Sequence, residues 1–143
     1  MGLLIALRFP MSLSALKCTA LQRTILVVDD DEDVLAASFG LLAPRYRVTL
    51  AVDGVDGLGK ATELPSPELI IADIVMPRLD GVEMALRIRE TAAMRWVPII
   101  FLSGQIFVGG MFSRLAAGTY SYLAKTADPL LLLRRVHRSL GDA

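Results

Sequence analysis

The chain has 143 residues, 54 % hydrophobic and 21 % charged, with 15 basic side chains balancing 15 acidic ones. This length suits one domain with a single core, and the apolar fraction excludes a disordered chain. Zero formal net charge excludes long-range attraction to nucleic acid or an anionic membrane, and the single cysteine, Cys18, excludes an intrachain disulfide and suits a reducing, cytoplasmic compartment.

Residues 1–22 are read as a weakly ordered leader, with Met11 as an alternative initiator. The apolar stretch from Gly2 to Leu7 is interrupted by Arg8 and Pro10, and is too short for a bilayer, which needs about 20 apolar residues. Secretion is the lesser reading, because the charge follows the apolar run and Ser14-Ala15-Leu16 makes a poor cleavage site.

From Arg23 the pattern alternates strand and helix. A first strand over 25–28 leads to a helix over 31–42, which Pro44 ends. A second strand is expected over 47–51 and a second helix over 55–64, closed by Pro65-Ser66-Pro67. The third strand covers 69–72, and Asp80 caps a third helix with Val82, Leu86 and Ile88 on its inward stripe. A fourth strand is placed over 98–102 and a fourth helix over 107–117, against the helix cost of Gly109 and Gly110. The fifth strand covers 120–124, and Asp128-Pro129 opens a fifth helix that ends near Gly141. Five such units predict an α/β fold: a doubly wound, five-stranded parallel sheet of flavodoxin-like type, with helices on both faces.

In such a sheet every strand points its carboxyl end at one edge, where ligands bind. Asp29, Asp30, Asp73 and Lys125 each lie at the downstream end of an apolar run, so three acids and one lysine converge there. Two carboxylates about 4 Å apart repel by roughly 4 kcal/mol at an effective dielectric near 20, so a proton or a cation must intervene. An all-oxygen donor set favours a hard divalent ion such as Mg²⁺. With that ion bound, Asp73 can act as a nucleophile toward a phosphoryl group whose oxygens the metal and Lys125 neutralise. Each residue also has a plain reading. Residues 29–33 can be a solvated acidic helix start, Asp73 a strand-ending turn residue, and Lys125 a surface lysine.

Residues 23–141 resemble the receiver domain of two-component response regulators. The resemblance rests on four stretches: Ile25 to Asp31; Leu69 to Pro77 with Asp80-Gly81; Pro98 to Gly104; and Gly118 to Lys125. It implies phosphoryl transfer to Asp73 from a sensor histidine kinase or a histidine phosphotransfer protein. It also implies that Asp29 and Asp30 hold Mg²⁺, that the backbone carbonyl of Val75 completes the protein ligands, and that Lys125 pairs with phosphoryl oxygens. Ser103 matches the family's hydroxyl switch residue and Tyr122 its aromatic partner, which turns inward on phosphorylation. Their plain alternatives are a turn serine and a core aromatic. By the same resemblance, the face made by the fourth helix, fifth strand and fifth helix would change state and bind a downstream target protein. Such a chain catalyses only its own phosphorylation and dephosphorylation. It is expected to stand alone without an output domain, as a monomer or weak dimer, away from nucleic acid and membrane.

Two departures from the family pattern stand out. Thr126 follows the lysine where a proline with a cis bond is usual, so a trans bond and a differently shaped loop are expected. Val75 and Gln105 occupy the positions that tune loss of the phosphoryl group, and apolar Val75 predicts slow self-hydrolysis.

Three other readings compete with this one. Residues 54–61 nearly fit a P-loop, but Ala61 replaces the metal-binding hydroxyl and the stretch follows the second strand. A phosphatase of the haloacid-dehalogenase type needs a second Asp where Val75 stands. A pseudo-receiver that docks partners without phosphorylation is the stronger rival, and the complete set of acids with Lys125 argues against it. Arg134, Arg135 and Arg138 are read as complementing the last helix's dipole rather than binding DNA.

Overall fold

The computed structural model describes residues 22–104 and 110–142. Most of the predicted leader, with Cys18, and Gln105 therefore lie outside the described residues. Five strands, β1 (Thr24–Val28), β2 (Arg47–Ala51), β3 (Leu69–Asp73), β4 (Ile99–Ser103) and β5 (Tyr120–Ala124), form one parallel sheet in the order β2-β1-β3-β4-β5. β3 and β4 are buried at every position, as strands covered on both faces must be. The predicted parallel, doubly wound architecture is what the chain adopts.

Alternate residues of the central strands feed two separate cores. Leu26, Val28, Ile70, Ala72, Ile99 and Phe101 pack on one side, against α2 (Gly54–Ala61) and α3 (Gly81–Arg89). Ile25, Val27, Ile71, Ile100, Leu102 and Leu123 pack on the other, against α1 (Glu32–Leu42) and α4 (Pro129–Leu140). Each helix starts on an aspartate whose carboxylate accepts a backbone N–H of the first turn: Asp31, Asp53, Asp80 and Asp128. Such caps contribute about 1 kcal/mol each. Gly141 closes α4 with a left-handed φ of 71°. No helix among the described residues is long and apolar enough to cross a membrane.

Most boundaries fall within one residue of expectation, and three larger or functionally placed differences stand out. α2 stops at Ala61 rather than running to 64, because the Thr62 hydroxyl donates to the carbonyls of Leu58 and Gly59 while its N–H also turns back to Gly59. β4 extends to Ser103, which places that hydroxyl residue on the strand itself. No helix forms over the described part of 107–117: residues 110–114 make turns, with Ser113 N–H bonded to Gly110 O and Leu115 N–H to Phe112 O. Gly110 has φ +93°, outside the helical region, so the glycine cost prevails over the apolar pattern there. The last helix of the chain is therefore α4.

The P-loop-like stretch is a packing element. A Cβ on Gly54 would lie 2.2 Å from Leu79 O, and one on Gly57 would lie 2.7 Å from Met84 Sδ and 2.9 Å from both Val28 methyls. These glycines admit close neighbours rather than a phosphate. Lys60 donates to Leu50 O at 2.7 Å and pairs with Asp56 at 3.2 Å, so its ammonium serves the helix that carries it.

Candidate functional site

The carboxyl ends of β1, β3 and β5 meet because the register aligns Val28 with Ala72 and Asp73 with Leu102, while Ser103 lies opposite Ala124. Asp29 follows β1, Asp73 ends β3, Ser103 ends β4 and Lys125 follows β5. Asp29 and Asp73 are buried, with 1 % and 6 % of their surface exposed, whereas Asp30 is open to solvent. One carboxylate oxygen from each of the three acids falls within 4.8 Å of the others. All four residues expected at this edge are brought together.

Lys125 Nζ lies 3.0 Å from Asp73 Oδ2 and 3.0 Å from Asp29 Oδ2. It donates to Asp73 Oδ2 and, at 3.3 Å, to Asp29 Oδ1, which also accepts the Asp31 N–H at 2.9 Å. Asp29 Oδ2 is buried and accepts no hydrogen bond, because the nearby ammonium lies off the bonding direction. Burial drives the Asp29 carboxyl above its usual range. The Asp31 N–H and Lys125 oppose that shift, and the Asp73 charge adds to it. For Lys125 burial favours the neutral amine, but hydrogen bonds and charge from Asp29 and Asp73 prevail and hold the ammonium above its ordinary value. Three carboxylates against one ammonium leave an excess of negative charge around an unsatisfied buried oxygen. An all-oxygen donor set of this kind fits a hard divalent cation.

The loop after Asp73 is closely held. Gly81 N–H bonds to Ile74 O at 2.7 Å, and a Cβ on Gly81 would sit 2.0 Å from Asp73 O. Val75 projects its side chain into solvent. The Lys125–Thr126 peptide is trans, as expected without proline; Lys125 N–H bonds to Ser103 O and Ala127 N–H to Ala124 O, making a tight turn. Ser103 is buried at the edge. Tyr122 faces outward with 54 % of its surface exposed, its ring stacked on Phe112 at 5.9 Å.

The family model for the response regulator receiver domain matches residues 25–137. The chain belongs to that family. As a receiver domain it is a phosphoacceptor module of two-component signalling. It is 41 % identical over 115 residues to the transcriptional regulatory protein PrrA of Mycobacterium leprae, an alignment covering 80 % of this chain and 47 % of PrrA. The chain thus spans about half the length of the PrrA proteins it matches. Among solved structures, chemotaxis protein CheY4 of Vibrio cholerae superposes with a TM-score of 0.75 at 26 % identity, over 83 % of this chain and 99 % of that one. The receiver domain of sensor histidine kinase PA1611 from Pseudomonas aeruginosa PAO1, solved with a magnesium ion coordinated in its active site cleft, superposes with a TM-score of 0.74 at 29 % identity, over 85 % and 99 %.

Two residues of this receiver escaped the sequence reading. Asp53 is 3 % exposed and pairs with Arg78 of the loop that follows Asp73. Arg89 lies among backbone carbonyls, donating through Nη1 to Val97 O at 2.7 Å and through Nη2 to Thr119 O at 2.9 Å. That contact ties α3 to the segments entering β4 and β5.

Proposed function

We propose that Asp73 is the phosphoacceptor of this receiver, with a phosphohistidine of a sensor kinase or histidine phosphotransfer protein as donor. A carboxylate oxygen of Asp73 attacks phosphorus, the P–N bond of the donor breaks, and its electron pair stays on the imidazole nitrogen. Asp29, Asp30, Asp73 and the Val75 carbonyl would hold Mg²⁺, which supplies neutralising charge for the transferring oxygens. Lys125 provides the second positive charge and keeps the buried carboxylates oriented. The observation that carries the reading is the unsatisfied Asp29 Oδ2 beside Asp73 and the shared Lys125 ammonium.

Ser103 and Tyr122 are the proposed switch. The esterified acid adds about −1.5 to −2 charge and three acceptor oxygens beside Ser103, while Tyr122 turns into the space that opens. The face formed by residues 110–117, β5 and α4 then presents a changed surface to a downstream protein. An apolar groove between α1 and α4, lined by Val34, Leu41, Leu123 and Pro129, runs beside Lys125 and suits the phosphodonor's docking. The unit proposed to do this is 23–141, cytoplasmic and monomeric or weakly dimeric.

The test is intact mass after incubation with a small-molecule phosphodonor and Mg²⁺. Wild type is expected to gain one PO₃H unit and Asp73→Asn none. An unmodified wild type would overturn the assignment and favour the phosphorylation-independent docking module.

A further inference from the structure

Arg78 is the one non-glycine residue with positive φ among the described residues, at 69°. The Leu79 N–H bonds back to Pro77 O at 2.8 Å, closing a three-residue turn around it. A classic γ-turn of that hand is strained for an L side chain and persists only where its surroundings over-determine it. Here they do so at three places between residues 78 and 81. Arg78 Nη2 donates to Asp53 Oδ2, Leu79 seats its backbone on Gly54, and Gly81 abuts the Asp73 carbonyl. Asp53 is suited to be the fixed point, because its other oxygen caps α2 through the Asp56 N–H at 2.8 Å. A carboxylate so buried needs a partner, and Arg78 is the cation that reaches it.

We infer that the Asp53–Arg78 ion pair positions the 74–80 loop so that the Val75 carbonyl faces the three acids, making Arg78 and Asp53 positioning residues for metal binding. The inference rests on the proposed metal site and deepens it. Val75 lies three residues before Arg78, in a loop whose two ends are joined by the Gly81–Ile74 hydrogen bond. Displacement at Arg78 has no slack to absorb it and passes to Val75. The pair therefore acts on the metal through a ligand that neither side chain touches. Partners hydrogen-bonded directly to a ligand govern about 10- to 100-fold in metal affinity, and the lower end is expected for a pair that acts through the loop backbone.

The experiment is calorimetric titration of Mg²⁺ into the unphosphorylated full chain: wild type, Arg78→Gly, Asp53→Asn and the double variant. Glycine accepts the positive φ without strain, and asparagine retains the cap acceptor, so both variants keep a route to the fold. Each single variant is expected to lose about tenfold in Mg²⁺ affinity, with the double variant no worse than either single one. Arg78→Gly is expected to melt lower, because it leaves the Asp53 carboxylate buried without its cation. The double variant, which removes that charge as well, should recover melting temperature but not Mg²⁺ affinity, a pattern that a purely structural role would not give. Wild-type affinity in both single variants would overturn the inference while leaving the metal site intact. Wild type that binds no Mg²⁺ would overturn both.

Discussion

Gly81 rests directly on the backbone of Asp73: a Cβ at Gly81 would stand 2.0 Å from the Asp73 carbonyl oxygen. The start of α3 thus braces the strand end that carries the proposed acceptor, and the obstacle is backbone, which cannot swing aside. Overpacking costs about 1–3 kcal/mol and occasionally more. Gly81→Ala is expected at the upper end of that range, read as a lower urea midpoint, with a lower yield of phosphorylated protein. Gly59→Ala and Gly40→Ala are the controls, since nothing lies within 4 Å of a Cβ at either position. Both sit inside helices and should stabilise by roughly 0.5–1 kcal/mol. Equal midpoints for Gly81→Ala and wild type would contradict the brace.

Asp29 makes the metal-free site costly. Its folded carboxyl binds a proton more tightly than the unfolded one, with burial the leading cause. From about 3.8 up to its folded value the native state therefore holds more proton, and stability falls as pH rises through that window. Asp29→Asn removes the charge, so it should raise the urea midpoint in chelator near pH 7 and lose that advantage below the window. Mg²⁺ reverses the comparison. At a hundred times its Kd it stabilises wild type by about 2.7 kcal/mol, while the variant should gain much less. Lys125 has the same sign in a higher window: its raised value contributes stability below about 10.5 that is lost as pH climbs through the folded value. A variant that is less stable than wild type in chelator at neutral pH would defeat the Asp29 account.

On the proposed assignment of Asp73, Val75 would bear on how long the phosphoryl group lasts. Its exposed isopropyl group offers no hydrogen-bond partner to a water approaching the phosphorylated Asp73. Orienting such a water is worth orders of magnitude in effective concentration. Val75→Asn supplies an amide and should hasten loss of the label by about tenfold, followed as decay of the phosphorylated species after donor removal. An unchanged half-life would show that Val75 does not limit hydrolysis.

The apolar runs made this site legible in the sequence. Short strands of one parallel sheet bring their downstream ends to one edge, so Asp29, Asp73 and Lys125 could be placed together from the chain alone. Asp53 and Arg78 could not. Asp53-Gly54 reads locally as an ordinary turn, and only the approach of Leu79 explains both the glycine and the buried carboxylate. The same approach accounts for Gly54 of the P-loop-like stretch, and Met84 with Val28 accounts for Gly57, whereas Gly59 completes the pattern with no close neighbour. Arg89 was hidden for a similar reason, since the carbonyls it binds come from segments up to thirty residues downstream. Over the described part of 107–117 the apolar periodicity and Gly110 point to different structures, and the positive φ of the glycine prevails.

Phe112, in that same segment, stacks on the outward-facing Tyr122. Its ring stacks on Tyr122 at 5.9 Å and 18°, on Phe101 at 5.1 Å and 28°, and lies 4.9 Å from Tyr120. Phe101 is fully buried, so the exposed tyrosine is tied to the core through one intermediate ring. An aromatic pair contributes about 0.5–1.5 kcal/mol beyond area burial, enough to change a two-state ratio by roughly 2- to 12-fold. If the inward state of Tyr122 is the one that favours the phosphorylated site, weakening the stack should populate it in advance. Phe112→Leu, which preserves much of the apolar volume against Phe101, is expected to speed phosphorylation by a small donor within that range. The gain should vanish in a Tyr122→Ala background, because no aromatic then remains to be released. A Phe112→Leu rate equal to or below wild type, or a gain that survives without Tyr122, would show that the stack does not hold the switch.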